Sequence, residues 1–307
     1  MSIIPRTFHL IAPSGYCQNQ QAASLAVQRL RAQGHHVVNT GVTGRREQRF
    51  AGSDRQRLAD MHQLIDPDCH PDIVLAVRGG YGATRLLPNF NAAALAARLT
   101  KHPMAICGHS DFTVLQMALL QHQAITFSGP MLAGNFGAES LSDFTMEHFW
   151  RAMTMPELVL SWPTTSQQTL SFTGTVWGGN LAMLSSLSGT PWLPRINGGI
   201  LVIEDVNEHP FRVERMLLQL AQSGILARQR AIITGSFTGS TLTDYDAGYD
   251  FASVWSLIQQ ITGLPVITDL EFGHHWRTVT LPLGAQGHLQ VRDGISTLTL
   301  TGHPTLQ

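Results

Sequence analysis

The sequence lacks an excess of charge, paired cysteines and metal-binding motifs, and each absence excludes a class of protein. Basic and acidic residues number 20 and 21, so no basic surface for nucleic acid is expected. Cys17, Cys69 and Cys107 form neither a CxxC pair nor an even disulfide framework, which fits a reducing compartment. The cysteine spacing is wrong for zinc, and no His-Glu-x-x-His is present, so metal catalysis is not expected.

Long apolar runs are also missing. A membrane-spanning helix needs about 18 consecutive apolar residues, and the sequence has no such run. Pro5, Arg6 and His9 interrupt the apolar region that a secretory signal would need. We therefore expect a cytoplasmic protein that does not bind membranes. Its 307 residues, 43% of them hydrophobic, can bury the core of one large or two medium domains.

The first half of the chain alternates between predicted strands and helices. A strand at 7–12, a helix at about 19–33 and a strand at 36–38 form a βαβ unit. The β-branched apolar run at 73–77 is typical of a strand buried on both faces of a parallel sheet. An α/β domain with a parallel sheet is therefore predicted at residues 1–160.

The second half has a different pattern. The stretch 155–170 is polar and rich in turn residues, and it predicts a linker, placed at 161–170, ahead of a second domain at 171–307. A buried strand at 199–205 ends in two acids. The last 25 residues alternate between apolar and polar side chains, which predicts antiparallel strands.

A Gly-x-Ser stretch at 104–113 is the strongest candidate for a nucleophile. It reads as an apolar strand, a turn containing Ser110 and the start of a helix, an arrangement that exposes a hydroxyl at the rim of a parallel sheet. The N–H groups at the start of that helix suit a developing oxyanion. The alternative is that Ser110 or Asp111 only caps the helix, since both residue types are favoured caps.

A glycine-rich loop, residues 78–82, follows the predicted buried strand at 73–77. Ligands of open α/β sheets bind beyond the carboxyl ends of the strands, and this loop exposes backbone N–H groups there. The loop matches neither the dinucleotide fingerprint nor a P-loop, and no cofactor is expected. A glycine turn chosen for positive φ is an equally good interpretation of the loop taken by itself. Beside Ser110, the loop could supply donors for acyl transfer.

A hydroxyl nucleophile needs a base, and the base needs an orienting group. His274 lies in a Gly-His loop, and Glu204 and Asp205 end a buried strand. The order serine, acid, histidine is uninformative because unrelated triads use different orders. A lone loop histidine is more often structural, so the residues alone leave this assignment open.

Other polar residues have simpler explanations than ligand binding. Arg45, Arg46 and Arg49 form a basic cluster that is expected to face solvent. The arginines of the predicted helix at 208–220 could bind a substrate carboxylate, but pairing with acids of the same helix is favoured. Asn180 could hydrogen-bond a ligand or simply stabilise a turn.

Seven short motifs occur in order over essentially the whole length. The motifs are Ile11-Ala12-Pro13-Ser14-Gly15, Arg78-Gly79-Gly80-Tyr81-Gly82, Gly108-His109-Ser110-Asp111, Ser128-Gly129-Pro130, Trp177-Gly178-Gly179-Asn180, Ile203-Glu204-Asp205 and Phe272-Gly273-His274. Together they resemble the motifs of the LD-carboxypeptidases, also called muramoyltetrapeptide carboxypeptidases. The microcin C immunity peptidase belongs to the same family.

The resemblance implies a Ser-His-Glu hydrolase with its site in a cleft between two domains. The first would be a Rossmann-like or flavodoxin-like parallel-sheet domain, and the second a β-rich α+β domain. Ser110 would be the nucleophile, His274 the base and acid, and Glu204, in preference to Asp205, the orienting carboxylate. The backbone N–H groups of Asp111 and Gly80 would bind the oxyanion.

The resemblance also implies a substrate. The family removes the terminal D-alanine from murein tetrapeptides, free or sugar-linked, by cutting the bond to an L-centre of diaminopimelate during cell-wall recycling. Gly79, Tyr81, Trp177 and Asn180 are substrate-binding candidates by motif, and a homodimer is expected. Two alternatives remain open: a related hydrolase of peptidyl-nucleotides or other acyl-peptides, and a module that binds muropeptide without turnover.

Overall fold

The computed structural model describes residues 4–164 and 169–306 and contains two β-sheets with helices packed against them. The strands are β1 Thr7–Ile11, β2 His36–Val38, β3 Ile73–Ala76, β4 Ala105–Gly108, β5 Thr126–Ser128, β6 Glu157–Pro163, β7 Leu170–Asn180, β8 Gly199–Val206, β9 Gln229–Thr238, β10 Val266–Ile267, β11 Leu281–Leu283, β12 Gln286–Arg292 and β13 Ile295–Thr301. The α-helices are α1 Gln20–Ala32, α2 Asp54–Gln63, α3 Ala92–Lys101, α4 Thr113–Leu120, α5 Asp143–Thr154, α6 Leu181–Ser186, α7 Pro210–Gln222 and α8 Phe251–Thr262.

The first sheet confirms the predicted parallel α/β layer. Its strand order is β11-β5-β4-β3-β1-β2, and every pair except β11 with β5 is parallel. The strands β3 and β4 are buried along their whole length, as their continuous apolar sequence predicts. Without β11, the order is the flavodoxin-like 2-1-3-4-5, in which the chain direction across the sheet reverses between β1 and β3.

The second sheet joins a parallel part to an antiparallel part. Its order is β10-β9-β8-β7-β12-β13-β6, with parallel pairs from β10 to β7 and antiparallel pairs from β7 to β6. Alternate residues of β12 and β13 are buried, which confirms the antiparallel ending read from their alternating sequence. The β-rich character predicted for the second half is therefore present.

The predicted linker does not match the structure where it can be compared. Residues 161–163 belong to β6, which pairs with β13 along its whole length, and residues 165–168 lie outside the described part of the chain. Leu158, Leu160 and Trp162 bury one face of β6, while exposed residues alternate with them. The prolines and the polar turn residues that follow the strand in the sequence made the stretch resemble a linker.

The chain also returns from the second sheet to the first. Strand β11 adds to the edge of the first sheet, with Leu281 opposite Ser128 and Leu283 opposite Thr126. Residues 281–283 therefore do not share a sheet with the rest of the predicted domain 171–307. The loop before β11 carries His274, so this strand anchors that loop against the first sheet.

None of the helices in residues 4–164 and 169–306 is both long and apolar enough to cross a membrane. The three cysteines are free thiols; Cys17 and Cys107 are buried and Cys69 is partly buried.

Candidate active site

Ser110 lies immediately after β4, at the carboxyl end of the first sheet. Its φ of +63° falls in the left-handed region, which a residue with a side chain adopts only when the surroundings enforce it. Ser110–Phe112 form a short 3₁₀ turn that leads into α4. Neither Ser110 nor Asp111 caps α4: the cap position is Phe112, and no side chain bonds to the helix N–H groups there. The helix-cap alternative is therefore wrong.

Ser110, His274 and Glu204 form a continuous hydrogen-bonded series. His274 Nε2 lies 3.0 Å from Ser110 Oγ, and His274 Nδ1 lies 2.6 Å from Glu204 Oε2. A carboxylate can only accept, so Nδ1 carries the ring hydrogen and Nε2 presents its lone pair to the hydroxyl. The series joins the two sheets, since Ser110 follows β4 and Glu204 lies in β8.

Gly273 explains how His274 approaches a fully buried glutamate. A Cβ at Gly273 would lie 2.6 Å from Glu204 Oε2, and its φ of +114° is a conformation for glycine. The His274 backbone N–H also donates to Glu204 Oε2, at 3.3 Å. The carboxylate thus fixes both the backbone and the ring of His274.

The electrostatics of the site raise the pKa of His274. Burial lowers the pKa of His274, but the hydrogen bond and the charge of Glu204 outweigh it, with smaller contributions from Asp205 and Asp111. The pKa therefore lies above its ordinary value of 6.5. An imidazolium formed by proton transfer would be stabilised in the same way.

Asn180 and Asp205 form a hydrogen-bonded group with Glu204, beside the series that contains Ser110 and His274. The Asn180 side-chain amide donates to Asp205 Oδ1 at 2.9 Å and to Glu204 Oε1 at 3.3 Å, and its oxygen accepts from the Met183 N–H in α6. Burial and the charge of Glu204 raise the pKa of Asp205 to about 6. Asn180 is buried with its polar atoms engaged, so the geometry gives no support to the substrate contact predicted for it.

His109 packs its ring edge-on against His274, with ring centroids 5.0 Å apart. Its Nδ1 lies 2.8 Å from the Gly129 carbonyl oxygen, which can only accept, so Nδ1 carries the hydrogen. Burial and the neighbouring His274 lower the pKa of His109 to about 4, so this ring is neutral at pH 7. The sequence analysis gave His109 no role.

Gly79 and Gly80 approach Ser110 closely. A Cβ at Gly79 would lie 2.7 Å from Ser110 Cβ and 2.8 Å from Ser110 Oγ, so only glycine fits. Burial raises the pKa of Asp111, while hydrogen bonds from the backbone N–H groups of Asp111 and Gly80 oppose the rise. The two N–H groups predicted as oxyanion donors therefore lie beside the Asp111 carboxyl.

The remaining predicted contacts divide between surface and core. Tyr81 is half-exposed and lines a cavity next to the cleft. Trp177 is buried, and its indole N–H donates to Gln229 Oε1 at 2.8 Å inside the second half of the chain. Trp177 is not among the residues that line the cleft around Ser110.

Ser110 and His274 line a cleft of about 500 Å³. Residues without a sequence-based prediction contribute to its walls: Gln18, Asn19, Met131, Asn135, His275 and Trp276. They come from loops that are distant in sequence, so no local pattern could have grouped them. Trp276 was detectable only as an aromatic residue two positions beyond His274.

The arrangement allows a proton to pass from a hydroxyl to an imidazole as the oxygen attacks a carbonyl carbon. This is the chemistry of hydrolases that use a hydroxyl nucleophile, and it is built here on two α/β sheets. Sequence models of the LD-carboxypeptidase N-terminal domain and C-terminal domain match residues 8–129 and 173–289. The chain belongs to the LD-carboxypeptidase family, as its motifs predicted, and it is an enzyme of the peptidase class.

Known proteins of similar sequence and structure agree with this assignment. The crystal structure of muramoyltetrapeptide carboxypeptidase from Oxalobacter formigenes superposes with a TM-score of 0.90 at 43% identity, covering 97% of this chain and 100% of that one. The murein tetrapeptide carboxypeptidase of Pseudomonas aeruginosa is 32% identical over 78% of this chain and 79% of its own length. The microcin C7 self-immunity protein of Escherichia coli is 27% identical over 85% of this chain and 83% of its own length.

Proposed function

We propose that the protein is a serine-type LD-carboxypeptidase that releases the terminal D-alanine from murein tetrapeptides. The bond cut joins an L-configured centre of diaminopimelate to D-alanine. The observation that carries the proposal is the series Ser110 Oγ, His274 Nε2, His274 Nδ1 and Glu204 Oε2, at 3.0 and 2.6 Å, in a chain of this family. We also propose that it acts in the cytoplasm, in cell-wall recycling, as a homodimer.

In the proposed mechanism His274 Nε2 takes the Ser110 proton while Oγ attacks the scissile carbonyl carbon. Glu204 stabilises the imidazolium through Nδ1, and the same proton then passes to the leaving amine of D-alanine. Water, deprotonated by His274, hydrolyses the acyl-enzyme and regenerates Ser110. The N–H groups of Asp111 and Gly80 remain the proposed oxyanion donors, which requires the Asp111 carboxyl to turn away or to carry a proton.

The stereochemistry of the substrate gives the test of this function. The protein is incubated with a murein tetrapeptide and with the diastereomer that has a D-configured centre before the terminal D-alanine, and released alanine is quantified. We expect D-alanine from the first peptide only. Equal release from both would contradict the assignment to the L,D bond, and release from neither would reject the carboxypeptidase function.

A second candidate is hydrolysis of a peptidyl-nucleotide. The similarity to the microcin C7 self-immunity protein, at 27% identity, supports it. Comparing tetrapeptide with an aminoacyl adenylate analogue distinguishes the two functions. Preference for the tetrapeptide by kcat/KM supports the first proposal, and preference for the nucleotide supports the second.

A further inference from the structure

A second cavity, which we call the arginine cavity, adjoins the cleft that contains Ser110. Its volume is about 400 Å³, and its walls come from the loops after β1, before α2 and after β3. It is lined by Tyr16, Arg46, Arg49, Arg78 and Tyr81, among others. Gln18, Arg78 and Gly80 line both the arginine cavity and the cleft, so the two are continuous along the glycine-rich loop.

Nearby arginines outside the cavity form ion pairs with two aspartates. Arg45 makes a two-pronged contact with Asp60, which is largely buried. Arg57 and Arg85 both pair with Asp54. These pairs leave the two aspartates fully engaged, so they offer no counter-charge to further arginines.

The three arginines of the cavity keep their charge uncompensated. Within residues 4–164 and 169–306, Arg46, Arg49 and Arg78 form no ion pair with a carboxylate. Glu47, which lies between two of them in sequence, is exposed and does not line the cavity. The cavity therefore has a positive wall although the whole chain has a formal net charge of -1.

Contacts with aromatic rings and the backbone hold these guanidinium groups in place. The Arg46 guanidinium carbon lies 4.7 Å from the centroid of the Tyr16 ring, and that of Arg49 lies 5.9 Å from the Tyr81 ring. Arg78 Nη1 donates to the Tyr16 carbonyl oxygen at 2.8 Å. Stacking leaves most N–H donors of Arg46 and Arg49 free to bind an anion.

The position in the fold is where an α/β sheet binds ligands. The loops after β1 and β3 lie on either side of the point at which the strand order 2-1-3-4-5 reverses, and ligands of such sheets bind in the crevice formed there. The backbone connects the walls, because the Gly15 N–H donates to the Gly79 carbonyl oxygen and the Tyr16 N–H donates to the Arg49 carbonyl oxygen. Backbone hydrogen bonds therefore join the loops that form the cavity at the edge of the first sheet.

We propose that Arg46, Arg49 and Arg78 form an anion subsite that binds a carboxylate of the peptide substrate other than that of the D-alanine released. This inference rests on the proposed function, since it takes the acidic murein peptide as the ligand. Guanidinium groups bind carboxylates through charge-assisted hydrogen bonds, and a carboxylate seated here would hold the peptide across the glycine-rich loop beside Ser110.

The test removes the charge from two arginines and from the substrate separately. Arg46→Gln and Arg49→Gln are combined, while Arg78 is kept because it holds the Tyr16 loop. Arg292→Gln is the matched control, since Arg292 is an exposed arginine at the end of β12 in the other sheet. KM and kcat are measured for the tetrapeptide and for a tetrapeptide whose internal carboxylates are converted to amides, with the terminal D-alanine unchanged.

We expect the double variant to raise KM for the acidic peptide on the order of tenfold with little change in kcat, because exposed charges are partly screened. For the wild type, KM for the amidated peptide should exceed KM for the acidic peptide by a similar factor. For the double variant, KM should be similar for the two peptides. Arg292→Gln should match the wild type. An unchanged KM, or an equal rise on both peptides, would overturn the subsite.

Binding to the Ser110→Ala variant keeps this test separate from the proposed function. The dissociation constants of both peptides are measured calorimetrically with Ser110→Ala, with and without the two arginine substitutions. Ser110→Ala should bind the acidic peptide more tightly than the amidated peptide, and this difference should disappear when Arg46 and Arg49 are substituted. That result supports the subsite even if the wild type releases no D-alanine. If the wild type releases D-alanine but Ser110→Ala binds both peptides equally, the subsite alone is rejected. If D-alanine is not released and the two peptides bind equally, the subsite and the proposed function are both rejected.

Discussion

At the scale of single residues, Gly79 has no room for a side chain. A Cβ there would meet Ser110 Cβ and Oγ at 2.7 and 2.8 Å, and a real Cβ would displace the hydroxyl or the loop. We expect Gly79→Ala to lower kcat by about 10²–10³-fold, similar to the loss of one oxyanion donor.

Gly134→Ala is the matched control for this substitution. Gly134 lines the same cleft, but nothing lies within 4 Å of a Cβ added to it. Its kcat should therefore stay close to the wild-type value. Equal loss of activity in the two variants, or full activity of Gly79→Ala, would show that Gly79 is not required for steric reasons.

The pH profile reports the coupling of His274 to Glu204. In the proposed mechanism His274 must be neutral to accept the Ser110 proton, so kcat/KM is expected to fall as the pH drops through the pKa of His274. That pKa lies above 6.5, because the hydrogen bond and charge of Glu204 outweigh the effect of burial. The acid limb for the wild type is therefore expected above pH 6.5.

Glu204→Gln removes the charge that raises the pKa of His274. The acid limb should then move to lower pH, while kcat falls about 10³–10⁴-fold because the ring loses its orienting carboxylate. Rates measured from pH 5 to 9 give both quantities. A variant with an unmoved acid limb would show that Glu204 does not control the protonation of His274.

At the scale of elements, β11 anchors the loop that carries His274. Leu281 in this strand is fully buried, and it lies opposite Ser128 at the edge of the first sheet. Leu281→Ala should lower the free energy of unfolding by about 2–5 kcal/mol through the cavity it leaves. Chemical denaturation measures this change.

Leu242→Ala serves as the control, because Leu242 is 44% exposed and its truncation should cost well under 1 kcal/mol. The two substitutions remove the same atoms, so the difference between them reports burial at β11. Equal stability of the two variants would contradict the role of β11 as an anchor.

The sequence predicted elements best where one local pattern is enough. The strand predicted at 73–77 and the helix predicted at about 19–33 match β3 and α1 within a few residues, because apolar patterns are local signals. Strand β6 was missed because its exposed residues and following turn residues imitate a linker. Strand β11 was not foreseen, since three residues carry no signal of which sheet they join.

At the scale of the whole molecule, the candidate site depends on contacts between the two sheets. The strand-turn-helix sequence made Ser110 a candidate, although on its own that stretch favoured a helix cap. His274 and Glu204 were selected through the family motifs, because a loop histidine and a strand-end acid are common. Trp177 and Asn180 were substrate-binding candidates by motif, but both side chains are buried, and a motif does not say which of its side chains face the core.

Contacts across the fold also decide which arginines of the basic cluster are paired with a carboxylate. Arg45, Arg46 and Arg49 were predicted to face solvent, and Arg46 and Arg49 are exposed, beside Tyr16 and Tyr81. Arg45 is partly buried and pairs with Asp60. These partners are distant in sequence, so the difference between a neutralised arginine and a free one emerges only from the fold.

The central claim is that Ser110 is acylated by the substrate with activation by His274. The most direct measurement is release of D-alanine from murein tetrapeptide by the wild type and by Ser110→Ala, with mass spectrometry of the rapidly quenched protein. Ser186→Ala, an exposed serine of α6, is the control.

We expect the peptide that contains Ser110 to carry the acyl group of the substrate in the quenched wild type and in Ser186→Ala. Ser110→Ala should carry no acyl group and lose at least about 10⁴-fold in rate. Release of D-alanine by Ser110→Ala at the wild-type rate would contradict the account.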